Sequence, residues 1–430
     1  MGYSFGGMKR FFLLLIAGLF LSVPQVGAWA GELHLQDLID EALHASPEIL
    51  AARAKASASG FRVPQTMSLP DPMVMAGYQN AGTNRFTFNE MYDSQFMLSA
   101  SQQFFFPGKQ ALKGEVATRE EESLSASAIA VRLRTVAMIK ELYYDLFFAH
   151  QSMDLIREKG LILHKLEDAS LARYGAGGGM QQDVLMAQTE KYMLFEREEM
   201  LKQKIQTLEA VLNSTVGREH AAPLDRPVAP VFVPYPQTLD ELVAAAYENS
   251  PEVKAREKMV ASLDAKVRVA EREYYPDITV TGNYGLKGQA FEDMWSLSTT
   301  VNIPLYYSTK QQPAIHEAQA SLAEAKNELQ AVRLRLSSAI RENFAMLQTT
   351  ERLMELYRQG LNQKIHQDFQ AALASYTTGK SDTLTVISRI KTMTEIETSY
   401  WGQLVEREKA IARLEALTGK TDPRMEEERQ

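Results

Sequence analysis

The sequence contains one arrangement twice, and this repetition limits the fold more than any other feature. Residues 44–54 read HASPEILAARA and residues 248–258 read ENSPEVKAREK, so Ser46 and Ser250 correspond at a distance of 204 positions. An internal repeat of this size means that one structural unit occurs twice and that neighbouring units pack against each other. The chain must therefore build two equivalent halves.

Each half opens with a helix that ends in a break. Apolar residues recur with helical spacing over 35–62 and again over 239–273, and the pairs Pro70-Asp71 and Pro276-Asp277 follow. The residue before a proline avoids the helical region, so a helix rarely continues into one. For the same reason we expect Pro64 to end the first helix early. The Ser-Pro-Glu motifs themselves are interpreted as helix starts or bends, with proline in the first turn, rather than as binding sites.

After each break, apolar residues alternate with polar ones, which indicates β-strands. The alternation is clear in 95–104, 277–286 and 294–303 and weaker in 72–80, so each half contains a hairpin of two strands. Such alternation fits a half-buried strand in any sheet. It equally fits a strand of about 9–11 residues in a membrane barrel, with an apolar outside and a polar lumen.

Two very long helical segments follow the hairpins. Residues 110–173 and 310–375 contain no proline beyond the first turn, and each helix would reach about 100 Å at 1.5 Å per residue. Both end at related turns, RYGAGGGMQQDVL and SYTTGKSDTLTVI, and return helices over 180–215 and 382–418 come next. Helices of this length are typical of a coiled-coil-like array.

The predicted organisation has five parts: a signal peptide at 1–30, a first repeat at 31–222, a proline-rich connector at 223–238, a second repeat at 239–420 and a charged tail at 421–430. The signal peptide is indicated by Lys9 and Arg10, by an apolar run too short to span a membrane, and by the small-residue cleavage site Ala28-Trp29-Ala30. Translation can start at Met1 or at Met8. We expect an exported protein.

Composition excludes several kinds of chemistry. The chain has no cysteine, a net charge of −8 and 7 histidines, none of them at a metal-ligand spacing. Without cysteine there are no disulfides and no thiolate metal sites. An acidic chain without basic clusters is a poor nucleic-acid binder, and no nucleophile elbow, phosphate loop or zinc signature occurs. We predict no enzyme, no cofactor and no catalytic or metal site.

The strands and the long helices require different surroundings. Four strands cannot close a barrel, and open strand edges are not tolerated in lipid, so an oligomer must supply the rest. A dimer would give eight strands and a trimer twelve. The helices reach about three times the thickness of a bilayer core, so they lie in a different layer from the strands. A membrane barrel continued by a helical tube meets both requirements.

The doubled order of elements, the Ser-Pro-Glu near each start, the Tyr-x-x-Gly before each helical turn and the proline closing each hairpin resemble the TolC-type outer-membrane factor family. The LPDPM stretch at 69–73 is similar to the heavy-metal-efflux branch of that family. The resemblance implies an α+β membrane protein, internally duplicated, with long coiled-coil-like α-helices that form a periplasmic α-barrel. It also implies four β-strands per chain that contribute to a trimeric 12-stranded β-barrel in the outer membrane of a Gram-negative bacterium.

The function implied by this resemblance is a passive exit duct of a tripartite efflux or type I secretion system. The implied partners are a homotrimer, a periplasmic adaptor (membrane fusion protein), an inner-membrane transporter of RND type and outer-membrane lipid, with no nucleic acid. The residues leave one alternative open, a soluble periplasmic coiled-coil protein with a structural or adaptor role. The substrate, whether drug, metal ion or protein, is not specified.

Candidate site residues follow from the same resemblance. Tyr376 matches a gate tyrosine and Asp183 an acidic position, whereas Ser381 stands at the usual basic gate position, so we expect a different closure. The gate and tip candidates are Tyr376, Asp183, Lys380, Ser381, Asp382 and Tyr174. The candidate adaptor-docking turns contain Gly177 and Gly379. Helix capping, turn chemistry and packing at the tip are the alternative roles.

Aromatic residues at the strand ends are candidates for a membrane-interface girdle. They are Phe104, Phe105, Phe106, Tyr306 and Tyr307. The alternative is packing where the barrel meets the tube.

Overall fold

The computed structural model describes residues 31–419, so the predicted signal peptide at 1–30 and the charged tail at 421–430 lie outside the described residues. The first half contains β1 (Glu32–Leu33), α1 (Leu35–Ala45), α2 (Pro47–Met67), β2 (Met73–Gln79), β3 (Gln95–Phe104), α3 (Lys109–Gly175) and α4 (Gln181–Val216). The second half contains β4 (Arg226–Pro227), α5 (Leu239–Asn249), α6 (Pro251–Arg272), β5 (Asp277–Leu286), β6 (Met294–Asn302), α7 (Gln311–Leu356), a π-helical turn (Tyr357–Leu361), α8 (Asn362–Thr377) and α9 (Thr383–Thr418). The elements follow each other in the same order in both halves, and the limits of the two repeats at 222 and 239 stay a prediction.

The Ser-Pro-Glu motifs form the bends between the first two helices of each half. Ser46 separates α1 from α2, Pro47 opens α2, and the Ser46 N–H donates to the carbonyl of Ala42 at 3.0 Å. Each bend packs against a glycine that ends a return helix. Gly217 after α4 has φ +103°, and a Cβ there would lie 2.5 Å from the carbonyl oxygen of Ala45. The repeated motif is therefore a packing joint.

The expectation that Pro64 ends the first helix early is wrong, because α2 continues through Pro64 to Met67. Proline lacks the N–H that would bond to the carbonyl four residues earlier, and its ring crowds that carbonyl. The residue at that place is Gly60, which has no side chain to add to the crowding. Past the helix end, the Ser68 hydroxyl donates to the carbonyl of Pro64 at 2.8 Å. The helix breaks only before the Pro-Asp pair.

The two hairpins join into one four-stranded antiparallel sheet in the order β2-β3-β5-β6. The register sets Phe96 opposite Tyr78 on one side and opposite Leu286 on the other, and sets Tyr284 opposite Trp295. Residues directly opposite each other lie on the same face of the sheet. Most apolar positions therefore share one face, and most Ser, Thr, Asn and Gln positions share the other; Gln102 and Thr299 lie on the apolar face, and Met97 and Met294 on the polar one. The prediction of four alternating strands is confirmed.

The long helices carry the packing between the halves. Helix α3 contacts α9 through ion pairs, which include Lys140–Glu415 at 2.6 Å and Lys159–Glu397 at 2.8 Å. Two separate apolar clusters pack along these helices. One contains Leu38, Ile139 and Leu146, and another, near the helical turns, contains Leu163, Tyr376 and Ile390. Among residues 31–419, no helix combines the length and the apolar stretch needed to cross a membrane.

A short parallel ladder between β1 and β4 ties the connector to the start of the chain. The Tyr143 hydroxyl donates to the carbonyl of Leu33 at 2.8 Å, and the Val228 N–H donates to the Tyr143 oxygen at 2.8 Å. Burial raises the pKa of Tyr143 to about 12. Farther along the connector, the buried Arg407 guanidinium donates to the carbonyl of Val233. The connector is extended, as its prolines predict, and it is fixed to the helices.

Candidate functional site

The two helical turns lie side by side at one end of the molecule. Gly177 and Gly379 have φ values of +75° and +73°, the left-handed conformation that glycine adopts without strain. Each N–H donates to the carbonyl three residues earlier, on Tyr174 and Tyr376, at 3.0 Å. Residues of both turns line one shallow depression of about 730 Å³. The turns occupy equivalent positions in the two repeats of the sequence, and the structure brings them together.

Tyr376 lies inside the molecule rather than at its surface. Its side chain is 4% exposed, and its hydroxyl lies 2.9 Å from the Ser170 hydroxyl. The Arg173 guanidinium lies over the tyrosine ring, 4.9 Å from its centre, a distance suited to a cation–π contact. Tyr174 is the counterpart of Tyr376 in the first half, and it is 47% exposed. Tyr376 thus packs in an apolar cluster with residues of other helices, whereas Tyr174 is largely exposed.

The acidic candidates occupy two different positions at helix starts. Asp382 is the N-cap of α9, where its carboxylate accepts the N–H of Thr385 at 2.9 Å and the Thr385 hydroxyl at 2.5 Å. These hydrogen bonds hold the pKa of Asp382 below its ordinary value. Asp183 lies in the first turn of α4, whose N-cap is Met180 and has no side-chain cap bond. Asp183 lines the depression.

Lys380 and Ser381 complete the second turn. The Lys380 N–H donates to the carbonyl of Ser375 at 2.9 Å, and the Ser381 hydroxyl donates to the carbonyl of Ala372 at 3.4 Å. Both residues line the depression with Asp382. Their backbone contacts are those of ordinary turn chemistry, and a gate role for them stays a proposal.

The candidate girdle residues divide into two groups at the junction between sheet and helices. Phe104, Tyr306 and Tyr307 are exposed. Phe106 stacks on Tyr275 with ring centres 4.4 Å apart. Phe105 lies under the ammonium group of Lys113, 4.6 Å from the ring centre. The second group therefore packs at the junction.

Sequence reasoning missed a second aromatic cluster at the opposite end of the strands. Tyr78 stacks on Phe86 at 4.6 Å and contacts Phe96 at 4.8 Å, and Phe88 contacts Phe96 at 4.9 Å. Phe86 and Phe88 lie in the loop between β2 and β3, where their spacing of two was the available signal. Aromatic side chains thus lie at both ends of the sheet. Across residues 31–419, no group of three His, Asp or Glu side chains is placed to hold a metal ion.

Comparison with known proteins gives one consistent likeness. The family model described as outer membrane efflux protein matches residues 242–419. The match covers the second repeat, and the chain is similar to this family there. The cobalt-zinc-cadmium resistance protein CzcC of Cupriavidus metallidurans is 22% identical over 321 residues, which cover 73% of the chain and 74% of CzcC. The outer membrane efflux protein BepC of Brucella suis is 22% identical over 295 residues, covering 66% of the chain and 60% of BepC.

Solved structures agree on the fold over most of the chain. The outer membrane protein VceC of Vibrio cholerae superposes with a TM-score of 0.78 at 18% identity, covering 90% of this chain and 96% of VceC. The outer-membrane channel OprN gives 0.78 at 16% identity, covering 90% of each chain. The predicted fold class, long helices with strands that contribute to a barrel, is confirmed. The family consists of outer-membrane channels rather than enzymes, in agreement with the prediction.

Proposed function

We propose that the chain is the outer-membrane exit duct of a tripartite efflux system. The observation that carries this proposal is a single sheet with one apolar face joined directly to very long helices. Helix α3 has 67 residues, so it extends about 100 Å from the sheet at 1.5 Å per residue. A strand of about 9–11 residues spans a bilayer when it is tilted, and such helices would then cross the periplasm.

The sheet supports a trimeric barrel. β2 and β6 are the outer strands of the four-stranded sheet, and neither has a partner on its outer side within residues 31–419. In lipid, each backbone N–H or carbonyl left without a hydrogen bond costs several kcal/mol. Three copies give twelve strands and close the barrel. The aromatic clusters at the two ends of the sheet then lie at the two membrane interfaces.

The helical turns are the proposed contact for a periplasmic adaptor, with an inner-membrane transporter of RND type behind it. Glycines with a left-handed conformation leave the backbone of both turns accessible, since nothing lies within 4 Å of a Cβ built on Gly177 or Gly379. The likeness to CzcC, a cobalt-zinc-cadmium resistance protein, favours metal ions as cargo. A type I secretion role is the second candidate, and it rests on the shared architecture alone.

Deletion and complementation test the proposal. We expect the deletion strain to lose tolerance to cobalt, zinc or cadmium and the wild-type gene to restore it. Fractionation should place the protein in the outer membrane as trimers that resist SDS without heating. Release with soluble periplasmic proteins would favour the adaptor alternative. If metal tolerance is unchanged and the protein is an outer-membrane trimer, the proposed duct stands and metal ions are excluded as its cargo.

Tryptophan substitution tests the docking turns. Gly177→Trp and Gly379→Trp should abolish efflux while trimers still form, because a bulky side chain blocks the approach of the adaptor. Gly82→Trp is the matched control, since Gly82 has φ +95° and open space around it but lies in the hairpin loop at the other end of the molecule. Normal efflux in the two turn variants would contradict docking at this place.

A further inference from the structure

The seam between the two halves of the sheet provides a template for contacts between copies. β3 of the first hairpin pairs with β5 of the second, which leaves β6 and β2 as the outer strands. Because the hairpins are equivalent, β6 of one copy can pair with β2 of the next as β3 pairs with β5. This inference rests on the proposed barrel of several copies.

The registers within the chain fix the register of this contact. Asp71 and Asp277 are equivalent, since each follows a proline at the end of the second helix. Transferring the three registers of the sheet places Val301 opposite Val74 of the next copy and Thr299 opposite Ala76 of the next copy. Apolar side chains then remain on one face. A slip by one residue would move every side chain of β2 to the other face.

Within the chain, this seam ends in a buried ion pair. The Lys109 ammonium group is 1% exposed and lies 2.9 Å from Asp277 Oδ1 and 3.2 Å from Glu273 Oε2. It also donates to the carbonyl of Tyr275 at 3.3 Å, and the Phe106 N–H donates to Asp277 Oδ1 at 3.0 Å. The carboxylate of Asp277 thus joins the start of α3 to the start of β5. The ion pair between Lys109 and Asp277 therefore links the first half of the chain to the second.

The counterparts of this pair are both present, and both are exposed. Lys310 precedes Gln311 at the start of α7, as Lys109 precedes Gln110 at the start of α3. Asp71 and Lys310 have no ion pair within residues 31–419. We propose that Lys310 of one copy and Asp71 of the next copy form an ion pair at the junction of sheet and helices, in the place that Lys109 and Asp277 occupy within the chain.

The exposure of the long helices supports the same contact independently. Leu133 and Leu155 on α3 are 9% and 8% exposed, whereas their counterparts 201 positions later, Leu334 and Leu356 on α7, are 61% and 60% exposed. The same residue type is therefore buried in the first half and uncovered in the second. A face with large exposed apolar residues indicates a protein contact. A second copy of the chain covers α7 in the way that the rest of the chain covers α3.

Cysteine cross-linking tests the pair in a chain that has no cysteine of its own. We expect Asp71→Cys with Lys310→Cys to give covalent dimers and trimers with a short bis-maleimide. The yield should exceed that of the control by about tenfold or more, because both pairs share the mM effective concentration of one complex and only the junction pair lies within reach of the linker. The control combines Asp71→Cys with Lys326→Cys, an exposed lysine about 24 Å farther along α7 at 1.5 Å per residue. Arg256→Cys with Glu328→Cys calibrates the linker, because this exposed pair lies 2.7 Å apart within one chain and should cross-link without forming a ladder.

Charge reversal provides a second readout that does not depend on cysteine. Asp71→Lys or Lys310→Glu alone should lower the temperature at which trimers separate in SDS, and the double variant should restore it. Trimers in the outer membrane without cross-linking and without rescue would overturn the pair and leave the proposed duct intact. Failure of the wild-type protein to form trimers would instead contradict the proposed function.

Discussion

Gly217→Ala should destabilise the protein strongly, for two reasons that the structure separates. Gly217 has φ +103°, and a left-handed conformation costs a residue with a Cβ about 1–2 kcal/mol. The new Cβ would also lie 2.5 Å from the carbonyl oxygen of Ala45 and 2.9 Å from its carbon. That overlap forces the bend between α1 and α2 to move, which costs a further 1–3 kcal/mol or so. We expect a total loss of about 2–5 kcal/mol in the free energy of unfolding.

Gly108→Ala isolates the first of these terms. Gly108 has φ +86° and nothing within 4 Å of its built Cβ, so we expect a loss of only about 1–2 kcal/mol. Urea unfolding of both purified variants in detergent, followed by circular dichroism, measures the difference. Gly419→Ala should behave like Gly217→Ala, since its Cβ would lie 2.8 Å from the carbonyl oxygen of Asn249. Equal losses for Gly108→Ala and Gly217→Ala would refute the reasoning.

Three further perturbations test individual contacts by the same unfolding assay. Tyr376→Phe removes only the hydrogen bond to Ser170 and should cost about 1 kcal/mol. Tyr376→Ala also leaves a cavity in the apolar cluster with Leu163 and Ile390 and should cost about 3–5 kcal/mol. Similar losses for the two variants would contradict the hydrogen-bond and cavity assignment. Lys109→Met leaves the partly buried carboxylate of Asp277 without its cation and should cost about 1–3 kcal/mol, and adding Asp277→Asn should recover most of it. The Arg218 guanidinium lowers the pKa of Glu41 from 4.5, so this pair stabilises the fold above that value and loses its contribution as pH falls through the lowered pKa. Arg218→Ala should therefore cost up to about 1 kcal/mol at neutral pH and nothing in strong acid, and a difference that persists at low pH would contradict the pairing.

Most of the fold could be predicted from the sequence because its signals are local and repeated. The alternation in β3 and β5 and the long proline-free segments each define one element without knowledge of the rest. The continuation of α2 through Pro64 could not be predicted, because Gly60, four residues earlier, relieves the crowding by the proline ring and residue propensities do not account for such a pair. The β1–β4 ladder was missed because strands of two residues have no periodicity.

The candidate site was harder to predict because its residues differ by packing and not by type. Tyr174 and Tyr376 occupy equivalent places in the two repeats, yet one is exposed and the other buried. The difference arises from Ser170 and Arg173, which reach Tyr376 from another helix. A repeat in the sequence identifies equivalent positions. It does not indicate which copy finds a neighbour within its own chain.

The π-helical turn at Tyr357–Leu361 shows how the two repeats can differ in length and still end together. Before it, equivalent positions are separated by 201 residues, as in Leu155 and Leu356; after it, they are separated by 202, as in Gly177 and Gly379. One inserted residue in a regular α-helix would rotate everything beyond it by about 100°. The wide turn absorbs this one residue locally, so the helical turn at Gly379 stays in step with its counterpart at Gly177.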